Sequence, residues 1–178
     1  MFDPKTLLDR GRAFVRTRQP EEACDMFAQA VAEARFLHHP GVLTEALMAL
    51  GGTEGSLRHP ATAVDCYREA AVVAEHSDQP VHQAEALMEI AEILLQQEKR
   101  DEAAGVCDQL LAVAQKAADD APLPRARALC MLARIQENIA SPEELVLMWQ
   151  AAASLLESAG KLERAAECKA QLAFLLGQ

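Results

Sequence analysis

A phrase that recurs every 40 residues limits this chain to one kind of architecture. Ala23-x3-Phe27-x2-Ala30, Ala63-x3-Tyr67-x2-Ala70 and Ala103-x3-Cys107-x2-Leu110 stand at that spacing, and Leu145-x3-Trp149-x2-Ala152 follows 42 residues after the third. One position therefore collects Phe, Tyr and Trp in a chain whose aromatic content is only 4%. Residues three and four apart share one face of an α-helix, so each phrase is a small-large-small stripe. About 16 residues earlier lies a companion phrase. It reads Leu7-x2-Arg10-Gly11-x2-Phe14, Leu47-x2-Leu50-Gly51, Leu87-x2-Ile90-Ala91-x2-Leu94 and Leu129-x2-Leu132-Ala133. A small residue beside a large one is what a helix needs where another helix comes close, and the two phrases are a knob and its socket.

Breakers fall between the phrases. Gln19-Pro20, His59-Pro60, Lys99-Arg100-Asp101 and Ser141-Pro142 separate the two helices of a repeat, while His39-Pro40, Gln79-Pro80 and Ala121-Pro122-Leu123-Pro124 separate successive repeats. Proline suits a first helical turn because the N–H it lacks has no partner there. Ser141-Pro142-Glu143-Glu144 reads as a capping box, and Asp3-Pro4 opens the first helix in the same way. The map is nine helices near 4–18, 21–37, 41–57, 61–76, 81–98, 101–118, 123–139, 142–158 and 161–176. The 35 alanines support helices over strands, because alanine is the best helix former and sheets favour branched and aromatic side chains.

These phrases resemble the tetratricopeptide repeat family, over nearly the whole chain. The family's Leu-Gly-x2-Tyr and Ala-x3-Phe pattern is met best by Arg10-Gly11-x2-Phe14 and Ala23-x3-Phe27. Glu54 stands in the aromatic place after Gly51, and Leu145 in the place of the alanine. A period near 40 rather than the family's usual value of about 34 adds roughly one turn per helix pair, as in its long-helix members. A HEAT-type solenoid shares the period, but the coincidence of both phrases favours the tetratricopeptide pattern over it and over a plain helical bundle. The implied fold is all-α: a right-handed α-solenoid of about four helix-turn-helix repeats (4–38, 41–77, 81–119 and 123–158) with a capping helix 161–176, forming one domain over 1–178.

The resemblance also implies a non-enzymatic adaptor or scaffold that binds a peptide or protein segment in a concave groove lined by the first helix of each repeat. Carried over by position, the groove takes Lys5, Leu8, Arg12, Val15 and Arg16, then Glu45, Met48, Gly52, Gly55 and Ser56. The third repeat adds Glu85, Met88, Glu92, Leu95 and Gln96, and the fourth Arg127, Cys130, Arg134, Glu137 and Asn138. Leu8, Met48, Met88 and Cys130 are equivalent and are expected to form an apolar floor, methionine being adaptable in shape. Gly52 and Gly55 each cost about 1 kcal/mol against alanine in a helix, which points to a closely approaching ligand or a bent helix. Lys5, Arg12 and Arg16 imitate the basic part of a carboxylate clamp, but the one asparagine, Asn138, lies in the wrong repeat. A self-assembling scaffold and a ligand-sensing regulator are the alternative readings. Phe174 and Leu175, in an apolar final segment, offer a self-association surface for a homodimer.

Charge is segregated along the chain. Residues 1–18 carry five basic and two acidic side chains, whereas residues 81–120 carry three basic and nine acidic ones. The net charge of −10 argues against nucleic-acid binding. No Walker loop, HExxH or GxSxG occurs, nothing pairs a nucleophile with a base, and neither cofactor nor metal is expected. His38, His39, His59, His76 and His82 all fall at helix ends or turns. The five cysteines, never in a CxxC pair, read as buried free thiols of a reducing bacterial cytoplasm. An apolar run of a signal peptide or a membrane span is missing, so a membrane partner is not expected.

Overall fold

The structure is a computed structural model that describes residues 2–116, 122–137 and 140–177. Among these residues there are nine α-helices and no strand. In chain order they are α1 (Pro4–Arg16), α2 (Pro20–Phe36), α3 (Pro40–Ser56), α4 (Pro60–His76), α5 (Pro80–Gln96), α6 (Arg100–Lys116), α7 (Pro122–Ile135), α8 (Pro142–Ser158) and α9 (Leu162–Leu175). The expected ends of the sixth and seventh helices, at 118 and 139, lie outside the described residues. The chain gathers into two compact units, Met1–Ile93 and Leu94–Gln178.

Proline is the first residue of α1 to α5, α7 and α8. Helix starts at 20, 40, 60 and 80 give the array a beat of 20 residues, half the repeat. Each beat ends in the same way. Arg18, His38, Arg58, Asp78 and Glu98 have φ between 54° and 63°, the left-handed region, and Gly160 takes that conformation before α9. The next residue then donates its N–H to a carbonyl five residues back: Gln19 to Phe14, His39 to Ala34, His59 to Glu54, Gln79 to Ala74 and Lys161 to Leu156. This is the Schellman ending of a helix, and it explains why α1, α2 and α3 stop one or two residues short of the boundaries the sequence suggests. A three-residue turn followed at once by proline returns the chain antiparallel along its predecessor. Among the described residues, side-chain caps are seen at α1 and α8. Asp3 accepts from the Thr6 amide at 3.0 Å, and Ser141 and Glu144 form the expected capping box.

In the first unit the knob and socket are in place. Phe27 and Tyr67 are buried at 1% and 4% exposure, and a Cβ on Gly11 would run into the Phe27 ring. One built on Gly51 would lie 3.0 Å from Tyr67. In the second unit, Trp149 packs in a cluster with Ala126, Ala133, Leu145, Ala152, Ala153, Leu156, Ala165 and Cys168. No described helix is long and apolar enough to cross a membrane.

Socket size is therefore a stability determinant. Gly11→Ala drives a methyl into Phe27 and should cost about 1–3 kcal/mol in urea denaturation. Gly105→Ala, at an exposed position of α6 where a Cβ meets nothing within 4 Å, should instead gain up to about 1 kcal/mol. Opposite signs at two helical glycines test the socket directly.

Candidate functional site

The first unit holds a groove of about 710 Å³ between α1, the start of α2, and α3. From α1 come Arg12, Val15 and Arg16, and from the turn after it Arg18. Pro20 and the buried Phe27 of α2 close one side, and α3 contributes Met48, Ala49, Gly52, Thr53 and Ser56. The α3 set is one helical face, since its members recur at four-residue intervals. Thr53 Oγ1 donates to the Ala49 carbonyl at 2.8 Å, and Ser56 Oγ to the Thr53 carbonyl at 2.6 Å. Both hydroxyl protons are thus spent inside the helix, and the polar character of the groove comes from its arginines.

Those arginines are not equivalent. Arg12 bonds Glu45 across to α3 at 2.9 Å and Asp9 on its own helix at 3.4 Å. Arg16 and Arg18 make no ion pair among the described residues. The groove accordingly has an apolar bed of Val15, Phe27, Met48 and Ala49, a neutralised cation at Arg12 and two uncompensated cations. Gly52 keeps the bed open. A Cβ there would rest 3.4 Å from the Tyr67 hydroxyl, an ordinary contact, so the missing side chain is not forced by packing.

Of the residues expected to line a groove, the structure gathers Arg12, Val15, Arg16, Met48, Gly52 and Ser56 in this one. Glu45 stands beside it through Arg12. Lys5 is exposed outside it, and Gly55 turns toward α4, its Cβ position 3.9 Å from Ala63. The four-residue apolar floor does not form. Leu8 and Met88 are buried at 1% and 6% exposure and belong to the core, and Cys130 packs among α7, α8 and α9. Met48 alone of the four lines the groove. Glu85, Glu92, Leu95 and Arg127 are half-buried and Gln96 is exposed. Arg134 and Glu137 line a separate 180 Å³ hollow with Trp149, Gln171, Phe174 and Leu175, so two sets of expected residues meet there. Asn138 lies outside the described residues. Arg18, Pro20, Phe27, Ala49 and Thr53 were not expected to line the groove. Ala49 and Thr53 lie one residue beyond Met48 and Gly52, but Arg18 reaches the rim only because the turn bends it there.

Two thiols meet the end of α3 next to the groove. The Cys24 thiol is pushed up to about 11 by burial, with the hydrogen-bonded Glu54 carboxylate adding to the effect. Burial and then Glu54 raise Cys66 to about 11 as well. His59 Nδ1 lies 2.8 Å from the same carboxylate. Among the described residues no group of three His, Cys, Asp or Glu side chains is placed to hold a metal ion. Cys107, fully buried, is raised to about 12 by desolvation. Thiols shifted upward are protonated at neutral pH and are poor nucleophiles.

No family model matches the sequence, and none of the curated proteins is significantly similar to it. Solved structures share the fold. The apo form of RapI superposes over 97% of this chain with a TM-score of 0.80 at 10% identity. The nearly identical tetratricopeptide-like repeats of a kinesin light chain from Podospora anserina cover 99% with a TM-score of 0.60 at 16% identity, and 97% of that chain is matched. A Rap conjugation gene regulator of the plasmid pLS20, in complex with the Phr* peptide, covers 97% with a TM-score of 0.59 at 14% identity. The present chain spans 62% of RapI and 53% of the plasmid regulator. The fold is thus the tetratricopeptide-like helical repeat.

The raised thiols give a kinetic prediction. At neutral pH the folded protein should react with iodoacetamide at Cys66 and Cys107 at least about 100-fold more slowly than a free cysteine. The rate should climb only toward pH 11–12, where the thiolates appear. Residue-resolved mass spectrometry after timed alkylation reads both numbers.

Proposed function

We propose that this chain is a non-enzymatic protein-interaction module that takes an extended peptide segment in the groove of its first unit. The observation that carries the reading is the pairing of an apolar bed with two cations, Arg16 and Arg18, that have no partner among the described residues. An arginine fork matches a carboxylate in shape as well as charge. The chemistry favours a segment that sets an acidic group against Arg16 and Arg18 and lays an apolar side chain on Val15 and Met48. Peptide capture by a Rap regulator of the same fold, named in complex with Phr*, supports the reading by analogy. Protonated thiols at Cys24 and Cys66, poor nucleophiles, accord with a binding role.

A displayed library of random peptides panned on the immobilised protein provides a ligand, and fluorescence anisotropy its Kd. Enriched sequences should carry an acidic residue near an apolar one. The double variant Arg16→Glu with Arg18→Glu should weaken the best of them by at least about tenfold, and added salt should do the same. Unchanged affinity in the double variant removes the groove assignment.

Self-association through α9 is a second reading, with its own observation. Leu162, Phe174 and Leu176 are 68%, 78% and 54% exposed on or beside this one short helix. Large apolar side chains so displayed mark contact surfaces. Sedimentation velocity over a wide concentration range should show a dimer that Phe174→Ser abolishes. A monomer at every concentration rejects it.

A further inference from the structure

Cys130 of α7 and Cys168 of α9 bring their sulfurs to 3.5 Å. Among the described residues the other sulfur contact, Cys107 Sγ to Met131 Sδ at 4.0 Å, joins a thiol to a thioether and has no disulfide chemistry. The Cys130–Cys168 pair sits in the Trp149 cluster, which fixes both helices around it. Cys168 is 3% exposed, while Cys130 is half-buried, so a reagent reaches Cys130 first. Closing the gap to a bond of about 2.05 Å asks for roughly 1.5 Å of movement, within the reach of side-chain rotation and a small helix shift. α9 rests chiefly on α8, and a link from Cys168 to Cys130 would add a covalent tie to the smaller packing contact it makes with α7.

We infer that Cys130 and Cys168 form a reversible disulfide that staples the C-terminal helix to α7, made by exchange with a small-molecule disulfide of the glutathione class. The Cys130 thiolate attacks one sulfur of the reagent, whose S–S bond breaks as a mixed disulfide forms. The first glutathione leaves as a thiolate and takes up the proton that Cys130 gave up. Cys168, deprotonated in turn, attacks the Cys130 sulfur, forming the protein S–S bond and releasing the second glutathione with its proton. Two protein thiols lose two hydrogens and two electrons, and one disulfide becomes two thiols. Burial and the Cys168 thiol hold Cys130 up at about 12, with Glu167 adding to this and Arg164 opposing it. The first step is therefore slow at neutral pH, and the pair stays reduced where glutathione is mostly thiol.

The test uses the folded full chain in glutathione buffers of increasing oxidised fraction, quenched by acid, alkylated and mapped by peptide mass spectrometry. The expected result is loss of two of the five free thiols, a linked peptide joining Cys130 to Cys168, and a Tm higher by about 5 °C or more. Cys168→Ala should stop at a glutathione adduct on Cys130 and lose the Tm gain. A wild-type product that is only the Cys130 adduct, a different pairing, a link that appears only in denaturant, or a Tm gain that survives Cys168→Ala would each overturn the inference.

Discussion

Close approach over a backbone without a side chain is the contact on which the first unit depends. Gly11 and Gly51 each receive the ring of the following helix at a distance where a methyl group would intrude. Glycine inside a helix sacrifices about 1 kcal/mol against alanine, and burying an aromatic ring returns about 1.5–3 kcal/mol, so the exchange is favourable only if the ring seats fully. It does: Phe27 and Tyr67 are almost inaccessible. The same contact builds the site. Phe27, held against α1 by Gly11, is also part of the bed of the groove, so a change that unseats the ring alters fold and groove together.

The second constraint is the turn. Five helices end on a non-glycine residue with positive φ, a conformation costing on the order of 1 kcal/mol for an L residue. Strain at Arg18 alone would invite a functional explanation. Its recurrence at His38, Arg58, Asp78 and Glu98 assigns it to the helix ending itself, where the bond from the next amide holds it in place, joined by a following proline at all but Glu98. What is particular to Arg18 is its place, since Arg58 has the same side chain at an equivalent turn but does not line this groove. There the turn presents a guanidinium at the rim of the groove between α1 and α3, beside Arg16, which is unpaired among the described residues.

The periodic features were legible because they rest on local chemistry and repetition. Proline at a first turn, the Ser141 capping box and the knob-and-socket spacing need no knowledge of distant contacts. The groove was half legible. Arg12, Arg16, Met48 and Gly52 follow from helical facing, but facing alone does not say which side of a helix its neighbours cover. Leu8 and Met88 share the register of Met48 and yet are buried, so equivalent positions are not equivalently exposed along the array. Arg18 was missed because a turn residue has no face until the turn is folded. The Cys130–Cys168 contact lies 38 positions apart, and neither its spacing nor its composition resembles a known sulfur motif.

Net charge and local charge pull in opposite directions, and together they narrow what the groove can hold. At physiological ionic strength a charge is felt over about 8 Å, so under the proposed function Arg16 and Arg18 would act on a segment already seated between α1 and α3. Farther out, a partner meets a molecule with a net charge of −10 and is repelled if it is acidic throughout. A segment with one or two carboxylates set in an otherwise neutral or basic surface escapes the repulsion and keeps the local attraction. Arg12, already engaged by Glu45 and Asp9, adds shape more than charge to that choice. Selectivity of this kind resides in the contrast between groove and surface, so removing acidic residues elsewhere on the first unit should broaden the range of acidic ligands without a single change to the groove lining.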